Sequence, residues 1–210
     1  MKYNFITIEG NIGAGKTSLA KKIAEQFNAK LILEEFEDNS FLPKFYKDPE
    51  KYAFPLEMSF LVKRYQQMKN QLTNQDLFKA FTISDYFINK SIIFARKTLQ
   101  DDEFSLYSKI FNIINLSLPK PELLVYLHLG VDRLKSNIIS RGRVYEKNIE
   151  KSYLEIIQSG YFEYINQQKD MRILIIDTNN INFVNNENDY LLIADVIQQD
   201  YSFGIHRIYL

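Results

Sequence analysis

Apolar positions along this chain switch between the period of a strand and the period of a helix. "YNFITIE" (3–9) is short, β-branched and aromatic, and predicts a strand. "KTSLAKKIAEQF" (16–27) carries Leu19, Ile23 and Phe27 four apart, an amphipathic helix. "KLIL" (30–33) reads as a short strand, and residues 36–54, with Pro43 and Pro49, as loop with a turn of helix. Residues 55–73 predict a helix, with Pro55 suited to its first position. "KAFTIS" (79–84) predicts a strand, followed by helices over 85–99 and 102–117, the second ending before Pro119 and Pro121. "LLVYLHL" (123–129) is a continuous apolar strand. Helices over 131–139 and 149–169 precede a last strand, "RILIID" (172–177), and a last helix (189–199). The Asn-rich segment 177–188 is expected to be a surface loop.

Strands separated by helices predict an α/β fold, a parallel β-sheet of about five strands flanked by helices on both faces. Ligands are then expected at the carboxyl ends of the strands. The 210 residues fit a single domain, 1–210, and 46% hydrophobic residues supply a sizeable core. Lys plus Arg and Asp plus Glu number 26 each, so charge gives no argument for a nucleic acid polymer or a membrane surface as partner. Without cysteine there is no disulfide, thiolate catalysis or cysteine-ligated metal. The two histidines, His128 and His206, give poor support for a histidine metal site or a Ser-His-Asp triad. Met1 leads directly into a strand, and no apolar run approaches the ~20 residues of a spanning helix. A cytoplasmic protein is the expectation.

The sharpest chemistry lies in "GNIGAGKT" (10–17), a full match to G-x-x-x-x-G-K-[ST]. Gly10, Gly13 and Gly15 let the backbone N–H groups of Asn11, Ile12, Ala14 and their neighbours converge. Lys16 is expected to reach the terminal phosphates, Thr17 to offer its hydroxyl to Mg²⁺, and the helix through Ser18 to add its positive end. The motif follows a strand and opens a helix, which is the context it requires. No guanine-reading N-K-x-D motif is present, so ATP is the expected nucleotide.

"LEEFEDN" (33–39) begins at the end of the second strand and holds Glu34, Glu35, Glu37 and Asp38. A kinase acting on a hydroxyl needs a carboxylate placed to take its proton. Glu34, at the strand end, is the candidate, and Glu35 points to the opposite side if the extended geometry continues. "SRGRVYE" (140–146) sets Arg141 and Arg143 around a glycine between two helices. These arginines can close over ATP as a lid, about 140–148, and stabilise charge on the transferring phosphoryl group. "PLEMSFLVKRY" (55–65) places Glu57 and Arg64 seven residues apart on one side of an otherwise apolar helix.

Taken with "FYKDPEKYAF", "RYQQM" and "SIIFA", these segments resemble the deoxynucleoside kinase family over nearly the whole chain. The resemblance implies ATP- and Mg²⁺-dependent phosphorylation of a deoxynucleoside 5′-hydroxyl, with a small-molecule deoxynucleoside as partner substrate and a homodimer. It implies Glu34 as the base, Tyr46 and Glu146 on the sugar 3′-hydroxyl, and Phe94 stacked on the nucleobase. Glu57 stands at a position usually held by Gln that reads the base edge, and Arg64 at one that also faces the base. Arg141 and Arg143 match the lid arginines. Met58 is a further candidate for the base pocket. The chain departs from the family at "SDY" (84–86), where an acid-Arg-Ser motif is common; Asp85 is the candidate for holding the metal through water. Lys90 stands where an Asp is frequent, and Asn137 where the lid has a further Arg.

Two rivals share the phosphate loop. A nucleoside monophosphate kinase of the thymidylate type needs basic residues for its acceptor phosphate, whereas Glu34, Tyr46 and Glu57 suit a neutral nucleoside. A non-catalytic nucleotide-binding module needs neither Glu34 nor the lid arginines. At position 57 an ionised Glu only accepts hydrogen bonds. It suits the N1–H of guanine, while adenine N1 would face it lone pair to lone pair at a cost of about 1–3 kcal/mol. A purine is therefore expected, deoxyguanosine ahead of deoxyadenosine.

Overall fold

The computed structural model describes residues 1–35, 39–73, 76–146 and 148–210. Six strands form one parallel sheet in the order β2-β3-β1-β4-β5-β6. They are β1 (Phe5–Gly10), β2 (Lys30–Ile32), β3 (Thr82–Ser84), β4 (Leu123–His128), β5 (Arg172–Asp177) and β6 (Gly204–Tyr209). The first five correspond to strands read from the sequence. The sixth was not foreseen: "GIHRIY" carries His206 and Arg207 among its apolar residues, as an edge strand with exposed positions can.

Helices cover both faces, as two-sided burial of the central strands demands. On one side α1 (Lys16–Gln26), α6 (Val131–Arg141) and α8 (Glu187–Ile197) pack over Ile6, Ile8, Val125, Leu127, Leu174 and Ile176. On the other, α3 (Pro49–Leu72), α4 (Lys90–Thr98), α5 (Asp101–Asn115) and α7 (Lys151–Gln167) pack over Leu124, Tyr126, Ile173 and Ile175. Successive strand residues thus divide between the two cores, as the two-residue strand period requires. A short helix, α2 (Leu42–Phe45), adds Phe45 to a small cluster with Ala53, Leu56 and Phe60 of α3. Among the described residues no helix is long and apolar enough to cross a membrane.

Several helix boundaries differ from the sequence reading, and three of them bear on the site. The helix expected to start at Pro55 starts at Pro49, within the segment read as loop, and Pro55 lies inside it. Asp48 is the cap, its side chain accepting from the Lys51 N–H (3.4 Å), so the true start signal is the Asp48-Pro49 pair. The helix expected from residue 85 begins at Lys90, because residues 85–89 turn through the carboxyl end of the sheet. The helix before the lid runs on to Arg141, ending at Gly142 in the left-handed conformation (φ 77°).

Candidate active site

The phosphate loop, Glu34 and Asp85 follow the carboxyl ends of β1, β2 and β3, and with residues of α3, α4 and the lid they line two adjoining cavities. The larger, about 570 Å³, is walled by the phosphate loop from Gly13 to Ser18, by one face of α6 and by residues 178–185. Gly13 and Gly15 hold φ of 86° and 88°, which L side chains rarely adopt. A Cβ on Gly15 would also lie 2.7 Å from Cζ of Phe183. Gly10 and Asn11 form the back of the loop. Their carbonyls accept from Lys16 Nζ at 3.0 and 2.9 Å, so the lysine is folded onto its own loop. The Asn11 side chain bonds the Leu154 carbonyl (2.7 Å) and fixes the loop to α7. Burial, with Lys90 nearby, pushes the Lys16 ammonium down to about 8.

The segment 177–188 lies at the surface as expected, with Asn180, Asn182 and residues 184–188 exposed, and its inner side walls this cavity and buries Ile181 and Phe183. Arg133 holds it in place: its guanidinium donates to the carbonyls of Thr178 (3.2 Å), Asn179 and Ile181 (3.2 Å). One turn later Asn137 donates to the Gly13 carbonyl (2.8 Å). Arg133, Asn137 and Arg141 recur every four residues, so one face of α6 grips the loop, the phosphate loop and the lid in turn. The Asn-rich composition of 177–188 concealed this, since only the spacing of Ile181 and Phe183 hints at an inward face.

The second cavity, about 110 Å³, shares Lys16, Thr17, Arg141 and Arg143 with the first. Ile12, Leu56, Phe60 and Phe94 give it apolar walls, and Glu34, Tyr46, Glu57, Arg64, Asp85 and Glu146 its polar ones. Asp85, after β3, accepts from the Thr17 hydroxyl at 2.5 Å and from the Glu34 N–H at 2.7 Å. It therefore stands beside the phosphate loop, where its sequence position suggested. Met58 does not line the cavity and packs against the second core, correcting its assignment to the base pocket. Phe94 meets Tyr161 edge-on at 6.2 Å.

Glu34 is held by two cations. Arg64 donates through Nε (2.8 Å) with Nη2 at 2.6 Å, and Lys90 through Nζ (2.5 Å). Burial opposes ionisation, but Lys90 and Arg64 outweigh it and draw the carboxyl down to about 2. The third Arg64 contact is Ser91 Oγ (2.8 Å), so in this structure its guanidinium serves Glu34 and α4 and does not stand free to read a base. Glu35 points away, toward Gln67, as the strand period requires. Glu37 and Asp38 lie outside the described residues.

In the lid, Glu146 binds both arginines, Arg141 through Nη2 (2.5 Å) and Nε (3.1 Å), Arg143 through Nη1 (3.4 Å). Tyr46 stacks on Tyr145 beside it, ring centres 6.4 Å apart. Burial, reinforced by Glu146, pushes the Tyr46 hydroxyl well up, so it stays neutral.

One buried acid escaped the sequence reading. Glu9, at the end of β1, accepts from the Phe87 N–H (2.8 Å), the Tyr161 hydroxyl (2.8 Å) and the Gly10 N–H (3.3 Å). Desolvation raises its proton affinity despite Lys90 and Lys16. Its position just before the phosphate-loop glycine was the available signal. His128 is half-buried at the end of β4, and its Nδ1 has no hydrogen-bond partner among the described residues.

A nucleotide-sized cavity floored by a phosphate loop opens into a narrower one that ends in a carboxylate, with the same cations at their junction. Phosphoryl transfer between two bound small molecules needs this layout, and it defines the class as a P-loop kinase. The chain belongs to the deoxynucleoside kinase family, which it matches over residues 6–201. It is 38% identical over 201 residues to deoxyguanosine kinase of Bacillus subtilis, covering 93% of this chain and 96% of that one. It is 31% identical to deoxyadenosine kinase of Dictyostelium discoideum, covering 93% and 78%. Among solved structures, deoxyadenosine kinase from M. mycoides with bound dATP shares the fold, with a TM-score of 0.78 at 23% identity, covering 93% of this chain and all of that one. The protein is thus an enzyme whose substrates are small molecules.

Proposed function

We propose that the protein transfers the γ-phosphoryl group of ATP to the 5′-hydroxyl of a purine deoxynucleoside, deoxyguanosine before deoxyadenosine. The observation that carries this reading is the junction: Lys16, Thr17, Arg141 and Arg143 border both cavities, and Glu34 stands on the acceptor side. ATP occupies the larger cavity, its phosphates on the loop and the start of α1. The sugar lies between Tyr46 and Glu146, and the base between Phe94 and Glu57. Glu34 orients the 5′-hydroxyl. With its proton affinity so low, it takes the proton late, once bonding to phosphorus has made the hydroxyl acidic. Lys16 and the lid arginines balance charge on the transferring group.

Thr17 and Asp85 suit Mg²⁺, since both offer only oxygen and already meet at 2.5 Å. Bound there with the phosphates, the ion would neutralise developing negative charge. The monophosphate-kinase reading is disfavoured because the acceptor cavity's own cations, Arg64 and Lys90, are both engaged by Glu34. The relatives' names, deoxyguanosine and deoxyadenosine kinase, support a purine.

The unit is the whole chain, 1–210, acting as a homodimer in the cytoplasm. Leu106 and Ile113, exposed on α5, and Val62 on α3 supply apolar surface for such pairing, which sedimentation would test. ADP release should be measured with each of the four deoxynucleosides and with their monophosphates. Release with a purine deoxynucleoside and not with its monophosphate is expected; release independent of any deoxynucleoside would overturn the reading.

A further inference from the structure

Glu57 is the least satisfied charged group in the acceptor cavity. Its side chain is 2% exposed, and Oε2 has no hydrogen-bond partner among the described residues. Oε1 lies 3.2 Å from Oγ1 of Thr98, but that hydroxyl is also 3.0 Å from the Phe94 carbonyl. A hydroxyl has one proton and cannot donate to both at full strength. If Thr98 bonds Phe94, its lone pairs face Glu57, and a proton on the carboxyl completes the arrangement. The protein's own groups around it therefore favour a neutral Glu57.

Guanine read through O6 and N1–H would also suit a neutral carboxyl, but read through N1–H and its 2-amino group it requires the opposite state. Its N1–H and 2-amino group present two adjacent donors, and only an ionised carboxylate presents two adjacent acceptors. Adenine presents a donor at N6 beside an acceptor at N1, which a neutral carboxyl matches with one acceptor and one donor. We propose that Glu57 selects the purine through its own proton: deoxyguanosine binding expels that proton to solvent, whereas deoxyadenosine binding retains it. This rests on the deoxynucleoside kinase reading above and deepens it.

The surroundings leave Glu57 as the group that titrates at the base. Arg64, on the same helix, stays charged against Glu34, which is held down to about 2. Lys90 of α4 is bound to Glu34. Tyr107 of α5 touches the Glu57 carbonyl (3.4 Å), and Tyr107, Tyr46 and Tyr153 of α7 are all pushed upward by burial and stay neutral. Burial raises Glu57 itself to about 7, with Arg64 the chief opposing influence. Lys16, lowered to about 8, faces the phosphates. It affects both purines alike and cancels in a ratio.

Binding calorimetry of the intact enzyme at pH 6.5, in two buffers of different ionisation enthalpy, reads the proton directly. Deoxyguanosine should release most of one proton, and deoxyadenosine should release none and take up a small fraction of one. Deoxyinosine, which keeps N1–H but lacks the 2-amino group, should release the proton and bind more weakly. In steady-state assays the deoxyguanosine-to-deoxyadenosine ratio of kcat/KM should rise roughly tenfold or more from pH 6 to pH 8. It should be flat in Glu57→Gln. Normal deoxyguanosine turnover with no proton release and a flat ratio in the unaltered enzyme would overturn the proposal alone. Absence of turnover with every deoxynucleoside would instead overturn the underlying reading.

Discussion

The two halves of the site are built from different materials. The donor cavity is mostly backbone: glycine-permitted N–H groups and a loop whose carbonyls are gathered by Arg133. The acceptor cavity is mostly buried side-chain charge, with Glu34, Arg64 and Lys90 in one network and Glu57 beside it. Backbone recognition suits phosphates, which every nucleotide shares. Side-chain recognition suits a sugar and base that must be told from close analogues. The donor half should therefore fail in binding, and the acceptor half in chemistry, selectivity and folding.

The severest test is Glu34→Gln, which keeps the size and removes the charge. A fall in kcat of roughly 10²–10⁴-fold with little change in the KM for ATP is expected. An equal loss in ATP binding would erase the distinction. Next, Arg64→Met leaves Glu34 buried with Lys90 alone. Breaking a buried pair costs on the order of 3–5 kcal/mol, read by chemical denaturation. The same variant should leave ATP affinity intact wherever the protein is folded.

On the donor side, Arg133→Ala frees residues 178–181 from α6. Its KM for ATP should rise about tenfold, near 1.4 kcal/mol, with kcat and the KM for the nucleoside unchanged. A matched fall in kcat would show that the loop serves both halves. The smallest effect is a pH response. With Lys16 lowered to about 8, its cation is lost as pH rises through that value. In the free enzyme, kcat/KM for ATP should be about half its plateau near pH 8, while the acid side is untouched by Glu34 until far below pH 4.

The same division governs what could be read from sequence. "GNIGAGKT" was legible because backbone cradles need glycines at fixed spacing, and Glu34 because a strand end fixes where it points. Asp85 lies beside the phosphate loop, bonded to the Thr17 hydroxyl, although the motif around it departs from the family. The partnership of Arg64 and Lys90 on Glu34 was not legible. It joins residues 30 and 56 positions away from Glu34 across α3 and α4, and local patterning carries no such distance. That the 177–188 loop also walls the donor cavity was not legible, because a loop that points its carbonyls at an arginine looks, by composition, like any polar loop. The helix start at Pro49 was hidden by a second proline six residues later.

The sheet order also sets a timetable for synthesis. β1 lies between β3 and β4, and β2 pairs with β3, so the first two strands made do not pair with each other. A nascent chain that emerges amino-terminus first holds no paired strand until residues 82–84 arrive, and β1 gains its second neighbour only with residues 123–128. The phosphate loop hangs from β1, so it is among the first parts translated and among the last to acquire its shape. Until then the growing polypeptide has no assembled nucleotide pocket through which ATP could steady it on the ribosome.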